Sequence, residues 1–343
     1  MNRGVGAASA GPAVRLHPDL PRARLTALPF HWRWALPLWR LGPRLARSMV
    51  GPCVDVREHD EAGVRVRVYR PHQGGSGAAL VWLHGGGLIM GAPRMDDARC
   101  GAWARDLGLV VVSVAYRLAP EQPFPAALDD AHRAWSWLQG SAGTLGVDPA
   151  RVAIGGASAG GGLAACLAQR LLDEGGAEPA AQLLVYPMLD DRTAARRELD
   201  EAGHLVWHNR SNRAGWRAYL GHPPGAPDLP AYASAARRAD LRGLPPAWIG
   251  VGDLDLFRDE NRAYAERLER AGVAVTRCEV AGAPHGFDAL APDVALAAAF
   301  AASHHAFLRE RLGIAGARSS NGPDGARVSG HGDGAASRCG REV

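Results

Sequence analysis

Apolar residues along the chain switch between two rhythms, and the switch locates the elements. Residues 64–69 alternate apolar and basic positions (Val64, Arg65, Val66, Arg67, Val68, Tyr69). That period of two predicts a half-exposed antiparallel strand. Continuous apolar runs follow at residues 79–83, 109–114, 152–154, 183–186 and 247–251. Such runs belong to strands covered on both faces, as in the interior of a parallel sheet. Between them lie segments of helical character at 126–138, 161–172 and 259–271, and a further strand is expected at 273–280. Strands alternating with helices predict an α/β fold, a mostly parallel doubly wound sheet with an antiparallel N-terminal edge and helices on both faces.

Two stretches break the rhythm. Residues 1–50 are rich in Pro, Arg and Trp, with His31, Trp32, Trp34, Leu36, Leu38 and Trp39 in an apolar cluster interrupted by Pro29 and Pro37. Short helices are expected there, as terminal core packing or as a lid whose tryptophans line a pocket, with the lid favoured. Residues 191–232 hold charges, Trp207, Trp216, Tyr219 and Pro223-Pro224, and are expected to be an insertion that completes a cap over the sheet. The expected organisation is a helical cap segment at 1–50, a catalytic domain at 51–315 carrying the 191–232 insertion, and a disordered tail at 316–343, where apolar residues are few.

Composition narrows the function classes. The 343 residues are 47% apolar and 22% charged, with a formal charge of +4. Every basic residue is Arg and none is Lys. The arginines are scattered, so no nucleic-acid footprint is indicated. No apolar run is long enough for a transmembrane helix. Five cysteines (Cys53, Cys100, Cys166, Cys278, Cys339) occur without a Cys-x-x-Cys, which argues against a disulfide framework or a zinc site and for reduced thiols in a cytoplasm. No metal or organic cofactor is expected. A homodimer is possible but not legible.

Four motifs carry chemistry. Gly156-Ala157-Ser158-Ala159-Gly160 follows a strand and opens a helix. A serine on such a sharp turn needs small flanks, here Gly156 and Gly160, and gains from the helix N-terminus beneath it. His84-Gly85-Gly86-Gly87 ends the strand at 79–83, where consecutive glycines let backbone N–H groups face an oxyanion. His84 itself reads as structural. Neither a phosphate loop nor a dinucleotide fingerprint fits, because Lys is absent and Met90 stands where a third Gly would be needed. Third is the acidic run Asp253, Asp255, Asp259, Glu260 after the strand at 247–251. Asp259 and Glu260 suit the first turn of the next helix and Asp253 a loop cap, while a buried carboxylate here is placed to hold an imidazole. His285, between Pro284 and Gly286 after the last strand, is placed as a general base. His304 and His305 are expected on a surface helix. The order Ser158, then acid, then His285 is that of α/β-hydrolases.

With these motifs, Tyr116-Arg117-Leu118-Ala119-Pro120-Glu121 and Asp148-Pro149-Ala150-Arg151, the chain resembles the bacterial hormone-sensitive-lipase-like (GDXG) esterases over residues 54–312. It departs from the family pattern at Ala157, where Asp is usual. The resemblance selects Asp255 as the acid and implies Gly85, Gly86, Gly87 and Ala159 around the oxyanion, a helical cap, and a carboxylic ester hydrolase acting on short- to medium-chain acyl esters. The same triad would serve an amidase, thioesterase or deacetylase, and the same fold a non-catalytic binder of small molecules.

Overall fold

A computed structural model of the chain describes residues 15–26, 29–31, 33–45, 47–61 and 63–315. The tail expected at 316–343, Trp32 and Cys339 lie outside the described residues. Among the described residues, eight strands form one sheet: β1 (Val54–Glu61), β2 (Val64–Pro71), β3 (Ala79–Leu83), β4 (Val110–Ala115), β5 (Val152–Ala157), β6 (Gln182–Val185), β7 (Ala247–Gly252) and β8 (Val275–Val280). Their order is β1-β2-β4-β3-β5-β6-β7-β8. The β1–β2 and β2–β4 pairs are antiparallel and the remaining pairs parallel. This is the expected fold class.

The apolar runs explain the centre. Every residue of β3, β5, β6 and β7 is buried, and each large apolar side chain so placed contributes on the order of 2 kcal/mol by leaving water. The helices are α1 (Leu36–Leu45), α2 (Asp97–Leu107), α3 (Ala126–Leu145), α4 (Ala159–Glu174), α5 (Asp191–Ala195), α6 (Asn209–Leu220), α7 (Arg258–Arg270), α8 (Phe287–Leu290) and α9 (Ala295–Arg311). Side chains alternate across the sheet, so its two faces feed two cores. One holds Val81, Leu83, Ile154, Leu163, Leu167 and Phe257 under α3, α4 and α7. The other holds Leu80, Trp82, Trp103, Trp248, Phe287 and Phe300 under α2, α8 and α9.

Three elements differ from the pattern-based expectation. β2 is not half-exposed, because Arg67 is buried. Its guanidinium meets Asp97 of α2 through two bonds of 2.9 and 3.0 Å, and Tyr69 donates to the same carboxylate at 2.6 Å. A bidentate partner makes such burial tolerable. Trp34 and Leu38 face outward, 77% and 64% exposed, so they do not line an interior pocket; Trp39 turns inward and meets the Phe30 ring edge-on at 5.2 Å. His304 is not on a surface. It is 2% exposed, with Trp103 Nε1 donating to its Nδ1 at 3.3 Å and the Trp248 ring 5.7 Å away.

Burial pushes the His304 imidazole well below its ordinary 6.5. It therefore stays neutral in the fold but binds a proton below that value once unfolded. The unfolded chain then carries the extra proton, so this contribution to stability falls as pH drops below 6.5 and is flat above it. The Asp96 and Glu260 carboxyls, pushed up by desolvation, act oppositely, so the difference between two proteins isolates the effect. Relative to His304→Gln, the wild type is expected to lose stability steadily as the pH falls from 7 to 5, measured by urea unfolding at each pH. A pH-independent difference would mean that His304 titrates normally.

Candidate active site

The strand ends of the parallel sheet converge on Ser158. It stands between β5 and α4 with φ 54° and ψ −118°, a region that side-chain-bearing residues seldom occupy. The turn is held by backbone bonds: Ser158 N–H donates to Val185 O at 2.8 Å, and Ser158 O accepts from Met188 N at 2.9 Å and Gly162 N at 3.1 Å. Gly160 is required by close approach, since a Cβ there would collide with Leu83 O and His84 O, and one on Gly156 would collide with Gly160. Ala157 is buried among the apolar side chains of the Trp82 core. A methyl group occupies the place of the family's usual Asp, and the turn keeps its shape through its main chain.

His285 sits in the loop between β8 and α8. Its Nε2 lies 2.9 Å from Ser158 Oγ, and its Nδ1 lies 2.7 Å from Asp255 Oδ2. An ionised carboxylate only accepts, so Nδ1 carries the hydrogen and Nε2 is left to accept from the serine hydroxyl. Tyr186 and Phe257 wall the ring edge-on, with centroids 4.8 and 5.2 Å away. Asp255 follows β7. Its other oxygen accepts from Phe257 N–H at 2.9 Å, and its side chain is fully buried. Ser158, Asp255 and His285 are thus brought together. Asp253 instead accepts from Gly282 N–H at 2.6 Å, tying the acid loop to the loop that carries His285. Asp259 pairs with Arg258 at the surface. Glu260 is buried and accepts from Leu189 N–H at 2.7 Å, so its work is to fix the start of the 191–232 segment.

The Gly85–Gly87 turn lies beside the serine. A Cβ on Gly85 would stand 3.5 Å from Ser158 Cβ. Gly86 has φ 121° and a Cβ there would collide with Met90 O, while its own carbonyl accepts from Met90 N–H at 3.1 Å. Among the described residues, the N–H groups of Gly86, Gly87 and Ala159 have no acceptor. His84 does not touch the serine. Its ring stacks on Tyr116 at 4.2 Å, its Nδ1 lies 2.8 Å from Gly85 O, and burial lowers it to about 4. A neutral buried imidazole here braces the glycine turn.

Trp207, of the 191–232 segment, covers Gly87 so closely that a Cβ would enter its ring. Phe30 stacks on the same indole at 5.8 Å, and Ser158 is left 6% exposed. A group of residues behind His285 was not singled out by motif. Tyr186 OH donates to Asp288 Oδ1 at 3.0 Å, and half-buried Arg99 of α2 donates to Asp288 Oδ2 at 2.6 Å. Asp288 follows His285 by three residues, in the first turn of α8, a signal within reach of the sequence; Arg99 lies 189 positions away, and nothing local marks it. Among the described residues no cluster of His, Cys, Asp or Glu is suited to a metal ion.

Comparison with known proteins gives consistent relatives. A family described as alpha/beta hydrolase fold matches residues 80–289. The carboxylic ester hydrolase LipN of Mycobacterium tuberculosis is 38% identical over 255 residues, 71% of this chain and 67% of that protein. The ethyl acetate hydrolase of Pseudomonas putida is 38% identical over 236 residues, 65% of this chain and 70% of that protein. Among solved structures, a bacterial heroin esterase superposes with a TM-score of 0.79 at 36% identity, covering 87% of this chain and 98% of its own.

Proposed function

We propose, for a chain that belongs to the α/β-hydrolase fold family and is a carboxylic ester hydrolase, that Ser158 is its nucleophile, His285 its general base and Asp255 the carboxylate that orients the base. The observation that carries this is the continuous line from Asp255 through His285 to Ser158 Oγ, with links of 2.7 and 2.9 Å. His285 Nε2 takes the serine proton as Oγ attacks the ester carbonyl. The N–H groups of Gly86, Gly87 and Ala159, free of other acceptors among the described residues, receive the oxyanion, and Gly85 keeps the turn close to the serine. Protonated His285 gives its proton to the leaving alcohol, and water activated by the same nitrogen releases the acid. Asp255 stays ionised and stabilises the imidazolium.

The acyl preference follows from the cover over the site. The segments at 29–45 and 191–220, with Phe30, Trp39 and Trp207 at their meeting point, act as a cap that limits the acyl group to short or medium length. The similarity to the ethyl acetate hydrolase of Pseudomonas putida supports the short end. A series of p-nitrophenyl esters from acetate to palmitate tests this: kcat/KM is expected to peak at or below about eight carbons, and a maximum at palmitate would overturn it. Reduced thiols at Cys100, Cys166 and Cys278 fit a cytoplasmic location.

Gly86→Ala tests the oxyanion site. The added Cβ displaces the turn from its present path, so kcat is expected to fall about 10²–10³-fold, with a stability loss of about 1–3 kcal/mol. Steady-state kinetics and thermal melts read the two effects separately. An unchanged kcat would remove this turn from the mechanism.

A further inference from the structure

Tyr186 closes one side of the His285 ring and is itself held in a costly conformation. It follows β6 with φ 36°, a region that side-chain-bearing residues seldom occupy. Such a residue persists only where its surroundings over-determine it. Its N–H donates to Gly250 O at 2.6 Å. Its ring lies against two others, the His285 imidazole edge-on at 4.8 Å and Phe300 of α9 in parallel at 6.5 Å. Its far end is fixed as well, because the hydroxyl donates to Asp288 Oδ1 at 3.0 Å.

Asp288 is fixed in turn. Arg99 Nη2 donates to its Oδ2 at 2.6 Å, so each carboxylate oxygen has a donor. The Arg99 guanidinium lies over the Trp82 ring at 5.5 Å, and Trp82 Nε1 donates to Asp96 at 2.7 Å. The two side chains of the ion pair are 13% and 10% exposed, so water screens them poorly. Taking two charges out of water offsets most of their attraction, and a pair of this kind adds little to stability that apolar contacts would not. What it adds is direction. A carboxylate with both oxygens committed holds the Tyr186 hydroxyl in one place. Asp288 also stands in the first turn of α8, three residues after His285, so the same carboxylate ties down the chain that carries the base.

Resting on the assignment of His285 as the base, we propose that Asp288 and Arg99 form a charged clamp which, through Tyr186, positions the His285 imidazole between Asp255 and Ser158. The two residues act on the ring through Tyr186 and are positioning residues. Because their charges are opposite and adjacent, the clamp is neutral as felt by the imidazole. It sets where the ring lies without changing how readily the ring takes a proton. The other groups facing His285 are Asp255 on Nδ1 and Ser158 on Nε2. Beyond Asp255, His204, Arg258 and Asp259 line the same cavity as that carboxylate, and behind Arg99 stands Asp96. None of these is altered by the variants below.

Two readouts test the clamp. The first is the pKa of His285, followed by NMR on histidine-labelled protein, with its signal assigned by its loss in His285→Gln, and again as the acid limb of kcat/KM. Asp288→Asn leaves the Arg99 cation unopposed and is expected to lower this pKa by about half a unit. Arg99→Met leaves the carboxylate unopposed and is expected to raise it by about as much. Arg99→Met/Asp288→Asn is expected to return it to the wild-type value. The second readout is kcat on p-nitrophenyl butyrate per site titrated with a fluorophosphonate. Tyr186→Phe keeps both ring contacts and removes only the hydroxyl. Its kcat is expected to fall about three- to tenfold, with KM within about twofold and the His285 pKa unmoved. Shifts of one sign in both single variants, or none in either, refute the clamp, and so does a Tyr186→Phe enzyme with wild-type kcat per site. If Arg99→Met does not fold, Asp288→Asn and Tyr186→Phe decide the matter by the same criteria. The opposite shifts of His285 in a protein whose hydrolysis survives Ser158→Ala would count against the catalytic assignment and leave the clamp on His285 standing.

Discussion

Ser158→Ala is expected to lower kcat/KM on p-nitrophenyl butyrate by about 10⁴–10⁶-fold while leaving the fold intact. The size follows from what is removed. Without Oγ no acyl-enzyme forms, and what remains is the background catalysis of bound substrate facing backbone N–H groups. Stability is expected to change little, because among the described residues Oγ bonds to His285 Nε2 alone, the turn is held by main-chain bonds to Val185, Met188 and Gly162, and alanine retains the Cβ that already lies against Gly85. Kinetics, a fluorophosphonate label and a thermal melt together make the test. Near-wild-type turnover in a folded, unlabelled variant would sink the assignment.

Asp255→Asn is expected to reduce kcat about 10⁴-fold with a smaller change in KM. The amide oxygen can still accept from Phe257 N–H, as the carboxylate does at 2.9 Å. The amide NH₂ then faces His285 Nδ1, which must accept. Its hydrogen moves to Nε2, where it opposes the serine hydroxyl instead of receiving its proton. Loss of the carboxylate also leaves the imidazolium of the transition state without its buried counter-ion. Activity in this variant should rise with hydroxide concentration, as alkali removes a proton the base no longer takes. A variant with kcat within tenfold of wild type would assign the acid's role to another residue.

The parts of the site that the sequence makes legible are those dictated by local backbone. A nucleophile on a strand-to-helix turn needs glycines at fixed offsets, and Gly156 and Gly160 display that need in five residues. Asp255 and His285 sit in loops at strand ends, where short motifs survive compression into one dimension. The choice of Asp255 over Asp253 rested on family pattern; the separate tasks of the two carboxylates become visible only once Gly282 and His285 are seen in space. What stayed hidden depends on distant partners. Arg67 looks like a solvent-facing position until Asp97 arrives from α2 to neutralise it. His304 lies in an Ala-rich helix without a marked apolar stripe, and it takes Trp103 and Trp248, far off in sequence, to enclose it. β1 (Val54–Glu61) is polar or charged at every position after Val56, so no apolar rhythm marks it, and its register is set only by pairing with β2.

The two cores on opposite faces of the sheet have a bearing on how the enzyme would wear out. Ser158 opens α4, which belongs to one packing, and His285 is flanked by Ala283 and Phe287, which belong to the other. The single proton passed between them crosses a seam between two layers that share only the strands. Loosening either layer by a fraction of an ångström misaligns that transfer without unfolding anything. Turnover is then a finer gauge of the molecule's integrity than its melting point, and ageing, heat or a remote core substitution should register first as slower chemistry in a protein that still passes for native.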